Sequence, residues 1–317
     1  MRFFLITALF FVTLFAKGLI EPVYKFELQS GLATDVVVSD NKLYIANDSG
    51  KIFLFDMQSK KELETISVGK IHDFMGDEVD SKIFNLDLIA KKILILSQDD
   101  GGYSRVHIYE DGNLTQVISS KDHYNIIKAK FIDENTIVMA LISNDVLSYD
   151  ITTHHVNWTT QASMSKFSSL ALSDDKKQVA VADESGDVHL LSTKDGSKSK
   201  TLSGENVDNI FGIDFRGTTI LTGGQDRRAA VYNLKNSQHY HKMADFFVYG
   251  VGLSPSGKIG AYSFDMQNNV ALFDTANEES IAKFKATGAV VNSIYFINEN
   301  EFLINSSANV VGYYKLH

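Results

Sequence analysis

The chain of 317 residues contains no cysteine, only two prolines and a single tryptophan. Without cysteine it forms no disulfide, holds no metal through thiolates and has no thiol nucleophile. Between Pro22 and Pro255 no proline interrupts a backbone hydrogen-bond ladder. The stability of the chain therefore depends on packing, and a chain of this size buries about 75% of its unfolded surface when it folds.

Basic residues are also in short supply. The chain has 30 Lys and Arg against 39 Asp and Glu, which gives a formal net charge of −9. It contains no run of basic residues, and this argues against nucleic acid or anionic lipid as a partner. Two interpretations of the acidity stay open: the charge keeps the protein soluble, or it steers the protein toward a basic partner.

Long apolar runs are absent except at the N-terminus. Arg2 precedes an apolar run of 13 residues, Phe3–Phe15, and the small residue Ala16 follows it. The run is shorter than the roughly 20 residues that span a bilayer. Residues 1–16 are therefore predicted to be a signal peptide and residues 17–317 the mature, periplasmic protein without a stable membrane anchor. An uncleaved anchor or a buried first strand are the alternatives.

What the chain does contain is a repeated unit. Each unit has an apolar stretch, a polar turn, a second apolar stretch, an Asp/Asn/Gly turn and a third stretch that ends near an aromatic residue. Successive third stretches end 54, 40, 42, 41, 41 and 40 residues apart, at Asp56, Glu110, Asp150, Ser192, Asn233, Asp274 and Tyr314. A period of about 40–45 residues with several short strands is typical of a β-propeller with one four-stranded blade per repeat. We therefore predict an all-β, seven-bladed β-propeller.

The strands inside each unit are nearly continuous in apolar residues, as expected for sheets that are covered on both faces. The turns after the second strands, such as Asn47–Gly50 and Asp99–Gly102, favour tight hairpins rather than calcium sites. The predicted inner strands, which line the central channel, are 35–38, 84–89, 128–132, 168–172, 211–215, 249–253 and 292–296.

The last unit lacks an outer strand. Its third stretch ends at Tyr314, three residues before the C-terminus, so no fourth strand can follow it. The segment Val23–Leu28 has strand composition and precedes the first inner strand. We predict that this N-terminal strand completes the last blade and closes the ring, which leaves no inner sheet edge exposed.

No pattern in the chain indicates catalysis. There is no Gly-x-Ser-x-Gly turn and no phosphate-binding glycine loop. Alternate residues His239 and His241 share one face of a predicted outer strand, but the sequence reveals no third metal ligand. Trp158 lies on an outer strand, away from where a quinone cofactor would bind. We predict no catalytic, cofactor or metal site.

A protein-binding surface remains. The first spacing between repeats, 54 residues, is longer than the others. The extra length falls mainly in the connection Gly69–Lys82, where Phe74 and Met75 stand among acidic residues. An aromatic and a thioether inside a polar rim suit a binding anchor, although the pair could instead tuck under the loop. Equivalent connections gather on the same face of a propeller, and some of their aromatics are expected to pack on a neighbouring blade. The candidate partner-binding residues are His72, Phe74, Met75, Tyr124, Lys166, Phe246 and Phe247.

These features resemble the WD-repeat and WD-repeat-like propellers. The resemblance rests on the aromatic-Asp endings at Asp56, Asp150 and Asp274 and on turns such as Leu172–Lys177 and Leu253–Lys258. The chain has no Trp-Asp dipeptide and no Gly-His pair. The Asp–His–Ser/Thr–Trp network that the family carries inside each blade is therefore in doubt, whereas the blade count is not.

Over its whole length, leader included, the chain resembles the NapL accessory propellers that are encoded with periplasmic nitrate reductases. The resemblance implies a non-enzymatic scaffold that supports maturation or activity of that molybdenum enzyme. Its partners would be nitrate reductase subunits or their electron-transfer proteins. Two alternatives stay open: an adaptor of the outer-membrane-assembly type, or a propeller enzyme such as a lactonase or quinone-dependent dehydrogenase.

Overall fold

The computed structural model describes residues 18–288 and 290–316. The predicted signal peptide, residues 1–16, lies outside the described residues. No helix in the described part is long and apolar enough to cross a membrane. The helical content there consists of two short 3-10 turns, Asp100–Gly102 and Ser120–Asp122.

Thirty β-strands make up the described chain. In chain order they are β1 (Tyr24–Glu27), β2 (Ala33–Ser39), β3 (Lys42–Asn47), β4 (Lys51–Asp56), β5 (Glu62–Ser67), β6 (Lys70–His72), β7 (Glu78–Asp80), β8 (Ile83–Ile89), β9 (Lys92–Gln98), β10 (Ser104–Glu110), β11 (Asn113–Ile118), β12 (Ile126–Phe131), β13 (Thr136–Leu141), β14 (Asp145–Asp150), β15 (His155–Gln161), β16 (Phe167–Leu172), β17 (Gln178–Asp183), β18 (Val188–Ser192), β19 (Lys198–Leu202), β20 (Ile210–Arg216), β21 (Thr219–Gly224), β22 (Arg228–Asn233), β23 (His239–Met243), β24 (Val251–Leu253), β25 (Ile259–Ser263), β26 (Val270–Asp274), β27 (Ser280–Phe284), β28 (Val291–Phe296), β29 (Glu301–Ser306) and β30 (Val310–Lys315).

The strands form seven four-stranded antiparallel sheets arranged as a ring of blades. Blade 1 contains β2–β5, blade 2 β8–β11, blade 3 β12–β15, blade 4 β16–β19, blade 5 β20–β23 and blade 6 β24–β27. Blade 7 contains β28–β30 and, as its outer strand, β1. The predicted seven-bladed propeller is confirmed.

The ring closes through the N-terminal strand, as predicted. Strand β1 pairs antiparallel with β30, with Phe26 opposite Val311. The ladder extends beyond the strand at both ends, because Val23 N–H donates to the Tyr313 carbonyl and Leu28 N–H donates to the Asn309 carbonyl, each at 2.8 Å. The first and last segments of the propeller are thereby joined in one sheet.

The apolar core is divided among the blade interfaces. Seven clusters of buried side chains are present, and each draws its residues from two adjacent blades. Phe215 of blade 5, for example, packs with Leu190 of blade 4. Every sheet is therefore covered on both faces, which explains the nearly continuous apolar strands.

Half-buried carboxylates join the inner strands of adjacent blades around the channel. Asp35 accepts a hydrogen bond from the backbone N–H of Leu86 at 2.9 Å. Asp87 accepts one from the N–H of Phe131 at 2.7 Å, and Asp214 accepts one from that of Leu253 at 2.9 Å. The acceptor lies on one blade and the donor on the next, so the bonds supplement apolar packing with directional contacts.

Turn chemistry explains the Asx-rich hairpins. The side-chain oxygen of Asn47 accepts hydrogen bonds from the N–H groups of Ser49 and Lys51 at 3.1 and 2.8 Å. Gly50 completes this turn with a φ of 70°. The polar side chains therefore satisfy the backbone of the hairpin itself.

Although the chain has no Gly-His pair, blade 4 carries a polar network that contains an Asp, a His, a Ser and a Thr. His189 lies 3.0 Å from Asp183 through Nε2 and 3.1 Å from the Thr201 hydroxyl through Nδ1. Asp183 also accepts a hydrogen bond from Ser163 at 2.6 Å. The network forms because these groups reach one another from separate strands and loops, which a dipeptide motif does not reveal.

Two elements differ from the sequence prediction. The inner strand of blade 6 was predicted over 249–253, but the observed strand starts at Val251. The N–H groups of Tyr249 and Gly250 donate instead to the Ser263 hydroxyl at 3.0 and 3.3 Å, which removes them from the ladder. The long connection after blade 1 is a two-stranded hairpin, β6–β7, rather than an irregular loop.

Candidate protein-binding face

Two kinds of segment meet at one end of the ring. Because strands alternate in direction, the outer-to-inner connections and the turns after second strands lie at the same end of each blade. We call this end the loop face; it comprises 28–32, 48–50, 68–82, 99–103, 119–125, 142–144, 162–166, 184–187, 203–209, 225–227, 244–250, 264–269, 285–290 and 307–309. The opposite end is the turn face; it comprises 40–41, 57–61, 90–91, 111–112, 132–135, 151–154, 173–177, 193–197, 217–218, 234–238, 254–258, 275–279 and 297–300.

Exposed apolar side chains are concentrated on the loop face. The most exposed are Phe74, Met75 and Met164, at 84%, 86% and 92%. The others in its segments are Leu32, Ile142, Val207 and Met266, and Ile127 adjoins them at the start of its strand. In the turn-face segments, all of which are described, no Leu, Ile, Val, Met or Phe side chain is exposed. The two ends of the ring therefore differ in chemistry.

The loop face also carries most of the excess negative charge. Its segments contain 15 Asp and Glu against 6 Lys and Arg, whereas the turn-face segments contain 10 against 8. Both sets of segments come from all seven blades, so the asymmetry is a property of the ring rather than of one insertion. The loop face thus combines apolar side chains with an acidic surround.

The hairpin after blade 1 presents the predicted anchor pair to solvent. Its tip is closed by the Asp73 carboxylate, which accepts hydrogen bonds from the N–H groups of Met75 at 2.8 Å and Asp77 at 3.0 Å. This turn directs Phe74 and Met75 outward. The alternative in which the pair tucks under the loop is wrong.

The base of the hairpin is attached to the next blade. The backbone N–H of His72 donates to the Asp100 carboxylate at 2.7 Å, and the His72 ring lies 4.0 Å from the same group. His72 is exposed. The attachment fixes the position of the hairpin relative to blade 2 and leaves the His72 ring accessible.

An aromatic cluster lies between blades 5 and 6. Phe211 stacks on Tyr249 with ring centroids 5.0 Å apart, and Phe246 stacks on Phe247 at 4.7 Å. Phe247 also meets Tyr249 edge-on at 6.0 Å. All four rings are half-buried. The expectation that aromatics of this connection pack on a neighbouring blade is confirmed, since Phe211 belongs to blade 5.

A cavity of about 420 Å³ opens at the channel mouth on this face. Leu32, Phe84, Ile127, Phe211 and Tyr249 supply apolar groups to its wall from five of the blades or their entering connections. Lys82, Asp48 and Asn292 are among its polar lining groups. Its size lies at the lower end of the roughly 300–1,000 Å³ of ligand pockets.

The other two predicted residues differ in accessibility. Tyr124 is half-buried against the apolar cluster between blades 2 and 3, and its carbonyl accepts a hydrogen bond from Ser104 N–H at 3.0 Å. Lys166 is exposed, and its backbone pairs with Glu184 through hydrogen bonds of 3.2 and 3.0 Å. Tyr124 therefore contributes to packing, whereas the Lys166 side chain is free to meet a partner.

Carboxylates tie the loop-face connections to the adjacent turns. Leu32 N–H donates to Asp48 at 2.8 Å, and Val207 N–H donates to Asp226 at 2.8 Å. The backbone beneath these exposed apolar side chains is thus held in place. Preorganisation of this kind lowers the conformational entropy that is lost when a partner binds.

The channel mouth on the turn face is polar and balanced in charge. Lys130 pairs with Asp87 and Arg216 pairs with Asp174, both at 3.2 Å. Burial lowers the pKa of Lys128, which lines the same cavity of about 400 Å³. The lining contains four carboxylates and four basic groups, so its charge is balanced.

The paired histidines of blade 5 meet a third group that the sequence did not reveal. One oxygen of Glu205 lies 2.6 Å from His241 Nδ1, and the other contacts His239 Nδ1. Burial raises the pKa of Glu205, but the hydrogen bonds from His241 and His239 together outweigh burial and lower it. No group of three or more potential ligands with metal-binding geometry occurs in residues 18–288 and 290–316.

The protein is a seven-bladed β-propeller, and its candidate site is the loop face. No protein-family model matches the chain, and no curated protein matches it significantly.

Sequence reasoning located part of this face and missed the rest. It singled out the hairpin pair and the Phe246–Phe247 connection because those segments are long or rich in aromatics. The connections that contain Met164 and Val207 were expected on this face, but neither residue was selected as a candidate, and Ile142 was not singled out. Only the tertiary structure shows that these three side chains are exposed and so form part of the surface.

Proposed function

We propose that this chain is an exported, non-enzymatic accessory propeller that binds a protein partner through its loop face. The observation that carries the proposal is the concentration of exposed large apolar side chains at one end of the ring. Apolar side chains that face solvent within a polar rim are a mark of protein interfaces. A rigid scaffold that presents loops is suited to such a role.

The proposed partner is a periplasmic nitrate reductase, through its subunits or its electron-transfer proteins. This choice follows the resemblance to the NapL accessory propellers, and the periplasmic location follows from the leader at residues 1–16. In this role the propeller supports maturation or activity of the reductase by holding a partner rather than by chemistry of its own.

Removal of the hairpin anchor tests the proposal. Burial of a large apolar side chain contributes about 1.5–3 kcal/mol. The double variant Phe74→Ser/Met75→Ser is therefore expected to bind purified nitrate reductase at least about tenfold more weakly. The affinity is measured by surface plasmon resonance. Because both side chains are exposed, the Tm should change by less than about 1 °C.

Leu63→Ser is the matched control, because Leu63 is exposed on an outer strand and lies outside the loop face. The control is expected to bind as the wild type does. An equal loss of affinity in both variants would contradict the role of the hairpin. Capture of outer-membrane-assembly components in place of the reductase would assign the adaptor alternative.

A further inference from the structure

The chemistry of the loop face points to the kind of partner it binds, an inference that rests on the proposed function. We propose that the docking segment is basic and amphipathic, with Lys or Arg side chains on either side of large apolar ones. One of those apolar side chains enters the cavity at the channel mouth.

Unpaired carboxylates provide the first argument. Of the 15 Asp and Glu in the loop-face segments, ten form no ion pair with a Lys, Arg or His of the described chain. The carboxylates of Asp77, Asp80 and Asp245 also accept no hydrogen bond from residues 18–288 and 290–316, and all three side chains are exposed. A partner that supplies cations would therefore gain charge–charge contacts without breaking any within the propeller.

The position of these carboxylates beside apolar groups provides the second argument. Asp73 directly precedes Phe74, and Asp245 directly precedes Phe246. The same arrangement recurs where Asp265 precedes Met266 and where Asp208 follows Val207.

A purely apolar partner would strip water from these carboxylates without pairing them, which is costly. An acidic partner would be repelled. Contact at each of these places thus requires an apolar group with a cation next to it.

The mouth cavity gives the apolar side chain a destination. Leu32, Ile127 and Phe211 line it, and its volume is about 420 Å³. The loop-face segments as a whole are acidic, so the apolar insertion and the basic contacts can form together.

The same charge disfavours other occupants of the face. A second copy of this chain would bring 15 acidic and 6 basic residues against the same set. An anionic lipid surface or a nucleic acid would meet like charge. A basic protein segment is the occupant that complements both properties of the face.

Synthetic peptides of about 18 residues, or roughly five helical turns, test the inference directly. The first peptide places Lys on one face and Leu on the other face of an amphipathic helix. The second replaces each Lys by Glu, and the third replaces each Leu by Ser. Binding to the mature propeller is measured by fluorescence anisotropy. The Lys/Leu peptide is expected to bind at least about tenfold more tightly than the other two, and to lose at least about fivefold in affinity between roughly 20 and 200 mM salt.

Matched sets of neutralised carboxylates locate the binding. The triple variant Asp77→Asn/Asp80→Asn/Asp245→Asn removes three charges from the loop face and is expected to weaken Lys/Leu binding at least about threefold. The control triple removes three exposed charges from turn-face segments, at Asp40→Asn, Asp111→Asn and Glu134→Gln. The control should bind as the wild type does.

Several outcomes would overturn the inference: equal binding of the Lys and Glu peptides, binding of neither, or an equal effect of both triple variants. The proposed function fails separately. If the Lys/Leu peptide binds at the loop face but nitrate reductase does not, the partner is wrong and the inference stands. If nitrate reductase binds with no dependence on salt or on the loop-face carboxylates, the partner stands and the inference is wrong.

Discussion

Truncation of Phe26 tests the closure of the ring more sharply than any other single change. Phe26 is the central buried residue of β1, with 1% of its surface exposed. Its ring lies 5.3 Å from that of Phe55 of blade 1, and it shares an apolar cluster with Tyr313 of blade 7. The side chain therefore joins the closing strand to the interface between the first and last blades.

Phe26→Ala removes the phenyl group and leaves a cavity at the interface between blades 7 and 1. Large-to-small changes of a buried Phe cost about 3–5 kcal/mol. We expect the free energy of unfolding of the protein to fall by that amount. Urea unfolding measures it, with circular dichroism as one probe and the fluorescence of the single tryptophan, Trp158, as the other.

Trp158 lies on β15 in blade 3, and its indole N–H donates to the Thr193 carbonyl at 2.9 Å. It therefore reports from a part of the ring that Phe26 does not touch. If the ring unfolds as one unit, both probes shift together. Tyr24→Ala is the matched control on the same strand, because Tyr24 is 39% exposed, and it should cost about 1 kcal/mol. A loss of less than about 1 kcal/mol for Phe26→Ala would refute the closure argument.

Two further predictions concern buried positions. Burial and the charge of Arg105 lower the pKa of His107 from 6.5 to about 4, so this His contributes stability above pH 6.5 that is lost as the pH falls toward 4. In His107→Leu, urea unfolding between pH 7 and pH 4 should show a decline smaller by up to about 3 kcal/mol, and an unchanged decline would contradict the assignment. Gly252→Ala places a methyl group against the Ile294 carbonyl of the next blade and should cost about 1–3 kcal/mol by calorimetry. Gly18→Ala is the control, because Gly18 has open space around it and no positive φ. Gly204 is unsuitable as a control position, because it has a φ of 95°.

The blade count and the closing strand were predictable because both depend on short-range patterns. Each blade repeats the same order of apolar stretch and turn, and the missing fourth strand after Tyr314 required a substitute from elsewhere in the chain. Val23–Leu28 was a suitable segment at the other end. The observed pairing of Tyr24 with Tyr313 follows from that requirement.

Contacts between residues far apart in the sequence were not predictable in the same way. Asp35 binds the backbone of Leu86, 51 residues further along the chain, and Glu205 binds His241, 36 residues away. No local pattern marks either pair. The first pair depends on how far blade 1 is rotated and shifted against blade 2, and the second depends on how the connection into blade 5 lies against the outer strand of that blade. Packing of many side chains sets both geometries.

The sequence by itself determined that this protein is a ring of seven blades with a borrowed outer strand, and that its long first connection carries Phe74 and Met75. Only the tertiary structure decided that these two residues face solvent and that Met164 and Val207, in connections expected at the same end of the ring, are exposed as well. The reason is physical. Strand and turn formation depend on neighbours along the chain, whereas the exposure of a side chain depends on atoms that other blades bring to it.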